Sequence, residues 1–308
     1  MPESSLPPVP RIQIALYAVL CSTGLSALIL AGNLLFRGHA GIEPDMYLGM
    51  AVSWITSLLV EAWVSFVMLS QIQRHMRRGT LNLPWLAIVG FGLLAVGVRY
   101  LWFMLHHFLI ANFLQNATEY LDSTLFNFLN VLVWEGFELV STFLCALFAL
   151  LMGGRREVEG DAPVAGSLAT WVVQALTLSC GLYFVVSLLA GQSAMQIARY
   201  GLDSMLVMQL VTNAMPLCVA LMLGCCIYAC WPRRLQQASG WGLYLWGALL
   251  GCLGALPAVA IAAAGILLFG IYAEWLGYAV WPVYAVGVAM LAVIIGWCWR
   301  DRAATPAD

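Results

Sequence analysis

The feature that most constrains this chain is a series of apolar runs, each long enough to cross a bilayer. Connections too short to fold on their own separate them. At about 1.5 Å of rise per residue, a helix needs about 20 apolar residues to cover a hydrocarbon core about 30 Å thick. Runs of that kind occupy roughly 12–36, 47–70, 85–110, 124–152, 168–190, 205–231, 241–269 and 272–299. The longest separators are 71–84, 111–123, 153–167 and 191–204. None has room for a soluble catalytic or nucleotide-hydrolysing domain, so function belongs within the membrane or at its surface. Composition agrees. The chain is 63% hydrophobic and 9% charged, whereas a soluble domain carries about 25% charge. The expected fold is all-α: one polytopic membrane domain over 1–308, a bundle of about eight transmembrane helices. Its first partner is the lipid bilayer.

Orientation follows from the basic residues. With the N-terminus inside, the inner side receives Arg11, Arg74, Arg77, Arg78, Arg155, Arg156, Arg233, Arg234, Arg300 and Arg302. The outer side receives only Arg37 and Arg199, and Arg99 falls inside a span. Both termini are therefore expected in the cytoplasm. The first run is not closed by a small-residue cleavage site and reads as a retained helix. All 13 basic residues are Arg and there is no Lys, a bias that suggests a GC-rich bacterial genome and hence the bacterial inner membrane.

The missing Lys excludes several chemistries. A P-loop needs its Lys for phosphate, and a retinal or pyridoxal Schiff base needs a Lys amine. Only four His are present. His39 and His75 fall in loops on opposite sides of the membrane, and His106 and His107 adjoin each other. A bis-His haem, which needs ligands on both ring faces, is not expected, and no other cofactor is implied. Nine Cys lie in apolar runs and read as small buried hydrophobes. Cys226 and Cys230, spaced i,i+4 beside Cys225, are the one arrangement that could ligate a metal, but no further ligand stands nearby. Metalloprotease, serine-hydrolase and kinase motifs are absent. The Arg residues are spread over the inner loops and form no nucleic-acid patch.

The residues that carry information are the charges a bilayer disfavours. Glu61 lies in the second run, Arg99 in the third, Glu135 and Glu138 in the fourth. Each charge at the centre of a bilayer costs at least about 2.5–3.5 kcal/mol. Measured from the outer helix ends, Arg99 and Glu135 lie about 16 Å deep and Glu138 and Glu61 about 21 Å. All four occupy one slab near the midplane. At 100° per residue, Asn127, Asn130, Trp134, Glu138, Ser141 and Cys145 share a face of the fourth run, with Glu135 on its shoulder. Gly92, Ala95, Arg99, Trp102 and His106 share a face of the third, and Trp54, Ser57, Glu61, Ser65 and Met68 a face of the second. Three polar stripes of this kind predict a lined interior.

Three carboxyls against one guanidinium cannot all be ionised cheaply. Arg99 can satisfy one of them, and the surplus carboxyls become able to carry a proton or trade it for a cation. His106, on the Arg99 face nearer the outside, is a candidate proton relay or simply an interfacial polar residue. In the sixth run Gln209, Thr212, Asn213 and Pro216 share a face. There Pro216 denies the Thr212 carbonyl its usual donor, as in the broken helices of transporters. Ser22, Ser26 and Asn33 of the first run read as interhelical glue. Gly247, Gly251 and Gly254 of the seventh read as a close-packing surface. The loop 191–204 is either an interfacial helix or an ordinary loop, and 111–123 is a candidate extension of its neighbours.

The leading expectation is a transporter or channel for a small solute or ion, coupled to protons through Glu61, Glu135 and Glu138. In it Glu138 is the principal carrier and Arg99 tunes the carboxyls or binds an anionic group. The rival is a non-transporting subunit of a secretion or assembly complex, or an immunity protein. In that case the charges are structural and a membrane-protein partner is implied, whereas a transporter is expected as a monomer or homo-oligomer. A third reading is an intramembrane enzyme acting on lipid.

Overall fold

The computed structural model describes residues 11–36, 44–75, 80–81, 83–117, 123–156, 168–199, 205–236, 240–269 and 274–299. The chain is almost entirely helical. Its helices are α1 (Arg11–Phe36), α2 (Pro44–His75), α3 (Pro84–Ala117), α4 (Ser123–Met152) and α5 (Leu168–Arg199). There follow α6 (Met205–Gln209) and α7 (Met215–Cys230), joined through a π turn at Leu210–Ala214, then α8 (Arg233–Gln236), α9 (Gly240–Phe269) and α10 (Glu274–Cys298). Counting α6 through α7 as one rod, eight helices are long and apolar enough to cross a membrane. Their exposed faces carry large apolar side chains such as Leu28, Leu93, Leu101 and Val293. Seryl, threonyl and glutaminyl side chains are buried instead, the arrangement expected where the surrounding solvent is hydrocarbon.

The spans begin and end close to the expected runs, and the departures have local causes. α3 has 34 residues and α5 has 32, or about 50 Å at the helical rise. α3 takes in 111–117, as an extension of its span, and α5 runs unbroken to Arg199. The stretch 191–199 is thus neither a separate interfacial helix nor a loop. Its Gln and Ser residues are too polar for the hydrocarbon core, but nothing in them stops a helix. The sixth span is not broken at Pro216. It widens by one residue, so that the Met215 amide donates to the Leu210 carbonyl, five residues back. Pro216 then begins the following α-helix within its first turn, where a missing N–H costs nothing.

The connections after α2 and after α4 are tied by a short antiparallel ladder that the sequence did not announce. β1 (Thr80–Leu81) pairs with β2 (Arg155–Arg156), Thr80 opposite Arg156 and Leu81 opposite Arg155. The ladder is continued by the Leu83 amide donating to the Gly153 carbonyl at 3.0 Å. Gly154, at φ 68°, turns the chain out of α4 into this ladder, a backbone conformation that glycine adopts without strain.

The chain divides into two compact units. The first comprises 1–40, 58–123 and 133–169, and holds α1, the inner part of α2, α3, most of α4 and the ladder. Its core includes Ala15, Ala18, Val64, Val67, Phe91 and Ala149. α1 packs on α3 at Gly92, where a Cβ would come within 2.7 Å of the Cys21 sulfur. The second comprises 41–57, 124–132 and 170–308. It is held by glycines. A Cβ on Gly181 would overlap the Tyr244 carbonyl, and one on Gly247 the Leu178 carbonyl, so α5 and α9 touch backbone to backbone. Gly254 and Gly287 do the same for α9 and α10, and Gly224 admits Ser179 against α7. Close approach of this kind supplies dispersion contacts where lipid removes the hydrophobic drive. Within this unit Tyr228 donates its hydroxyl proton to the Gln174 side chain, and the Trp231 indole donates to the Ala292 carbonyl at 3.2 Å.

Candidate functional site

The first unit assembles an ion-pair triad from three helices. Arg99 of α3 pairs through Nη1 with Glu61 Oε1 of α2, and through Nη2 with Glu138 Oε1 of α4 at 3.3 Å. α1 adds a fourth element: Ser26 donates its hydroxyl to the same Glu61 oxygen at 3.1 Å. Local packing sets these heights. Gly92 brings α3 against Cys21 of α1. Ser26 lies five residues and Arg99 seven residues further outward, about 8 and 10 Å along their helices, so both reach one level.

The two carboxylates are not equivalent. The Glu61 side chain is 8% exposed and has two partners on one oxygen. The Glu138 side chain is 20% exposed and makes a single, longer contact with Arg99. Charge-assisted bonds strengthen as they shorten and lose water. Glu61 is therefore the firm anchor of Arg99 and Glu138 the loose one. With both carboxylates ionised the triad carries one net negative charge, which a proton or a monovalent cation at Glu138 would neutralise.

An aromatic group stands one turn from the triad, toward the C-terminal end of α3. Trp102, three residues from Arg99, stacks on Phe137 with ring centres 3.9 Å apart and planes 12° apart. His106 lies against the edge or face of Trp134 at 4.6 Å and is 5.6 Å from Trp102. Trp102 and Trp134 are 6.4 Å apart. Trp134 and Phe137 precede Glu138 on α4, by four residues and one. After it, Ser141 and Cys145 are buried on the same stripe of α4, and on α2 Ser65 is fully buried.

Of the residues singled out in the sequence, Glu61, Arg99, Glu138, Trp134 and His106 are brought into one neighbourhood. Asn127, Asn130 and Glu135 lie on α4, but their side chains fall outside the described residues. Gln209 and Asn213 belong to the second unit. There the Asn213 amide donates to the Gln209 side chain across one turn, at 2.5 Å, and Thr212 donates to the Met208 carbonyl. Ser57, placed on the α2 stripe by periodicity, is exposed. Cys226 and Cys230 are exposed on α7, and among the described residues no cluster of three or more metal-ligating side chains occurs.

Two participants were not legible as such. Ser26 read as ordinary glue. Its depth of about 15 Å below the outer end of its span was the available signal, since it falls in the same slab as the charges. Phe137 sits 100° from Glu138 on α4 and so escaped a stripe drawn through polar residues. No family profile matches the chain, no curated protein sequence does, and no solved structure does.

Proposed function

We propose that this protein is a multi-pass membrane transporter or channel for a small solute or ion, of the bacterial inner membrane, in which Glu138 exchanges a proton. The observation that carries this reading is the asymmetry of the triad. One guanidinium faces two carboxylates, one doubly held and nearly closed to solvent, the other singly held and more open. A group that must bind and release a proton in each cycle needs a partner that it can leave. Glu138 has one, and Glu61 remains to hold Arg99 when it does. Intramembrane ionisable groups that pair with one another are functional by default, because each carries an insertion cost that packing alone does not require. In this reading His106, two turns from Arg99 on α3 and beside Trp134, would relay protons between Glu138 and the outside.

The competing reading is a structural clasp in a non-transporting subunit or immunity protein. Its support is that both terminal nitrogens of Arg99 are engaged by carboxylates within the protein. Proteoliposomes loaded with a pH dye separate the two. Solutes that drive a pH change in wild-type vesicles lose that effect with Glu138→Gln under the first reading, while the protein keeps its elution volume and helicity. Under the second, no solute moves protons, and gentle purification yields a stoichiometric protein partner by native mass spectrometry.

A further inference from the structure

The surroundings of Glu138 bear on which solute it serves. Arg99 already faces two carboxylates, Glu61 at Nη1 and Glu138 at Nη2, so no positive charge is left over for an anionic ligand. The surplus charge of the site is negative and single. Metal cations are held by shells of ligands, mostly oxygen for the hard ones, and among the described residues no group of three or more His, Cys, Asp or Glu side chains able to hold a metal occurs. Beside the triad is a ring cluster: Trp102, three residues from Arg99, contacts Trp134 and Phe137, which precede Glu138 by four residues and one. A carboxylate beside aromatic faces recognises an alkylated ammonium group, whose diffuse charge is attracted to the negative face of each ring and whose methylenes are at home in an apolar wall. Two polar groups in this neighbourhood also lack partners. The Trp102 indole N–H and the fully buried Ser65 hydroxyl, four residues from Glu61, have no hydrogen-bond partner among the described residues.

From these features we infer that the site takes a small organic cation in exchange for the Glu138 proton. This rests on the coupling role of Glu138 proposed above. The exchange balances one for one. The neutral carboxyl gives its proton to water, and the carboxylate so formed pairs with the incoming cation. The triad then carries the same total charge with either occupant. Among the described side chains, the other titratable groups around Glu138 are Arg99 and His106 of α3, Glu61 of α2 and Cys145 of α4; Glu135, three residues away on α4, lies outside them.

The test uses the purified full-length protein in weakly buffered detergent solution, with tetramethylammonium and tetraethylammonium as probes and sodium and potassium as controls. The expected result is release of one proton per organic cation bound, with a change in Trp fluorescence, and no response to sodium or potassium. Glu138→Gln abolishes the release. Trp102→Leu weakens binding about 3- to 30-fold, the range of a cation–π contact expressed as affinity, and Trp102→Phe recovers most of it. Trp134→Leu is the second probe of the aromatic wall, should Trp102→Leu fail to elute as the wild type does. Equal release with sodium or potassium, or unchanged affinity in the folded leucine variants, overturns the organic-cation assignment and leaves Glu138 as the exchanging group. So does the absence of any release, provided that wild type shows a pH-dependent fluorescence step that Glu138→Gln lacks. Release that persists in Glu138→Gln overturns the coupling role itself, and the assignment with it.

Discussion

If Glu61 anchors Arg99 and Glu138 is the loosely held partner, replacing each by Gln must cost very different amounts of stability. Glu61 makes two charge-assisted contacts at 8% exposure. Bonds to charged groups contribute about 1.5–3 kcal/mol each, and breaking a buried pair costs about 3–5 kcal/mol, so Glu61→Gln should destabilise by about 3–5 kcal/mol. Glu138 makes one contact at 3.3 Å and 20% exposure. Its loss should cost about 0.5–1.5 kcal/mol, between an exposed and a buried pair. Removing its charge also relieves repulsion from Glu61 across the shared guanidinium, which lowers the figure further. The difference of about 1.5–4.5 kcal/mol, set by these ranges, is measurable by unfolding in mixed micelles of increasing SDS fraction, followed by far-UV circular dichroism. Equal losses, or a larger loss for Glu138→Gln, would refute the division of labour within the triad.

Three further predictions concern the frame around the site. Ser26→Ala should cost about 1–2 kcal/mol in the wild-type background and nothing measurable beside Glu61→Gln, because the hydroxyl acts through that carboxylate. A double-mutant cycle in the same assay reads this coupling. Gly247→Ala sets a methyl group against the Leu178 carbonyl and should destabilise by at least about 1–3 kcal/mol. Gly97→Ala meets nothing within 4 Å and should be neutral or stabilising by up to about 1 kcal/mol; thermal melts of the pair decide. Reporter fusions after residues 39 and 159 should read outside and inside respectively, as the Arg distribution requires, and the opposite pattern overturns the orientation.

The fold was legible wherever hydropathy alone decides it. Eight runs became eight helical spans because the length of a span is imposed by the bilayer and not by partner residues. What hydropathy could not show was the continuation of helix beyond the apolar stretch. Residues 111–117 and 191–199 lose their apolar character without acquiring a helix stop, so backbone hydrogen bonding carries the helices on. The Thr80–Arg156 ladder was invisible because four residues in two loops carry no periodic signal. Pro216 did mark an irregularity. The chain resolved it with a π turn that keeps its carbonyls bonded in preference to a break that frees them.

The triad was legible in outline for the same reason as the spans. A guanidinium and carboxylates at one depth, on faces shared with Trp and Ser, have few other ways to be satisfied. The unequal grip of Glu61 and Glu138 was not legible, because it depends on Ser26, on a helix that shares no motif with the others. Nor was the aromatic wall, because Phe137 reaches Trp102 from off the polar stripe.

The central claim is that Glu138 takes up and releases a proton while the Glu61–Arg99 pair stays intact. Infrared difference spectroscopy of the reconstituted protein across a pH step measures this directly. The account predicts a protonated-carboxyl band in wild type that disappears in Glu138→Gln and persists in Glu135→Gln. A band that survives Glu138→Gln, or no titrating carboxyl at all, would contradict it.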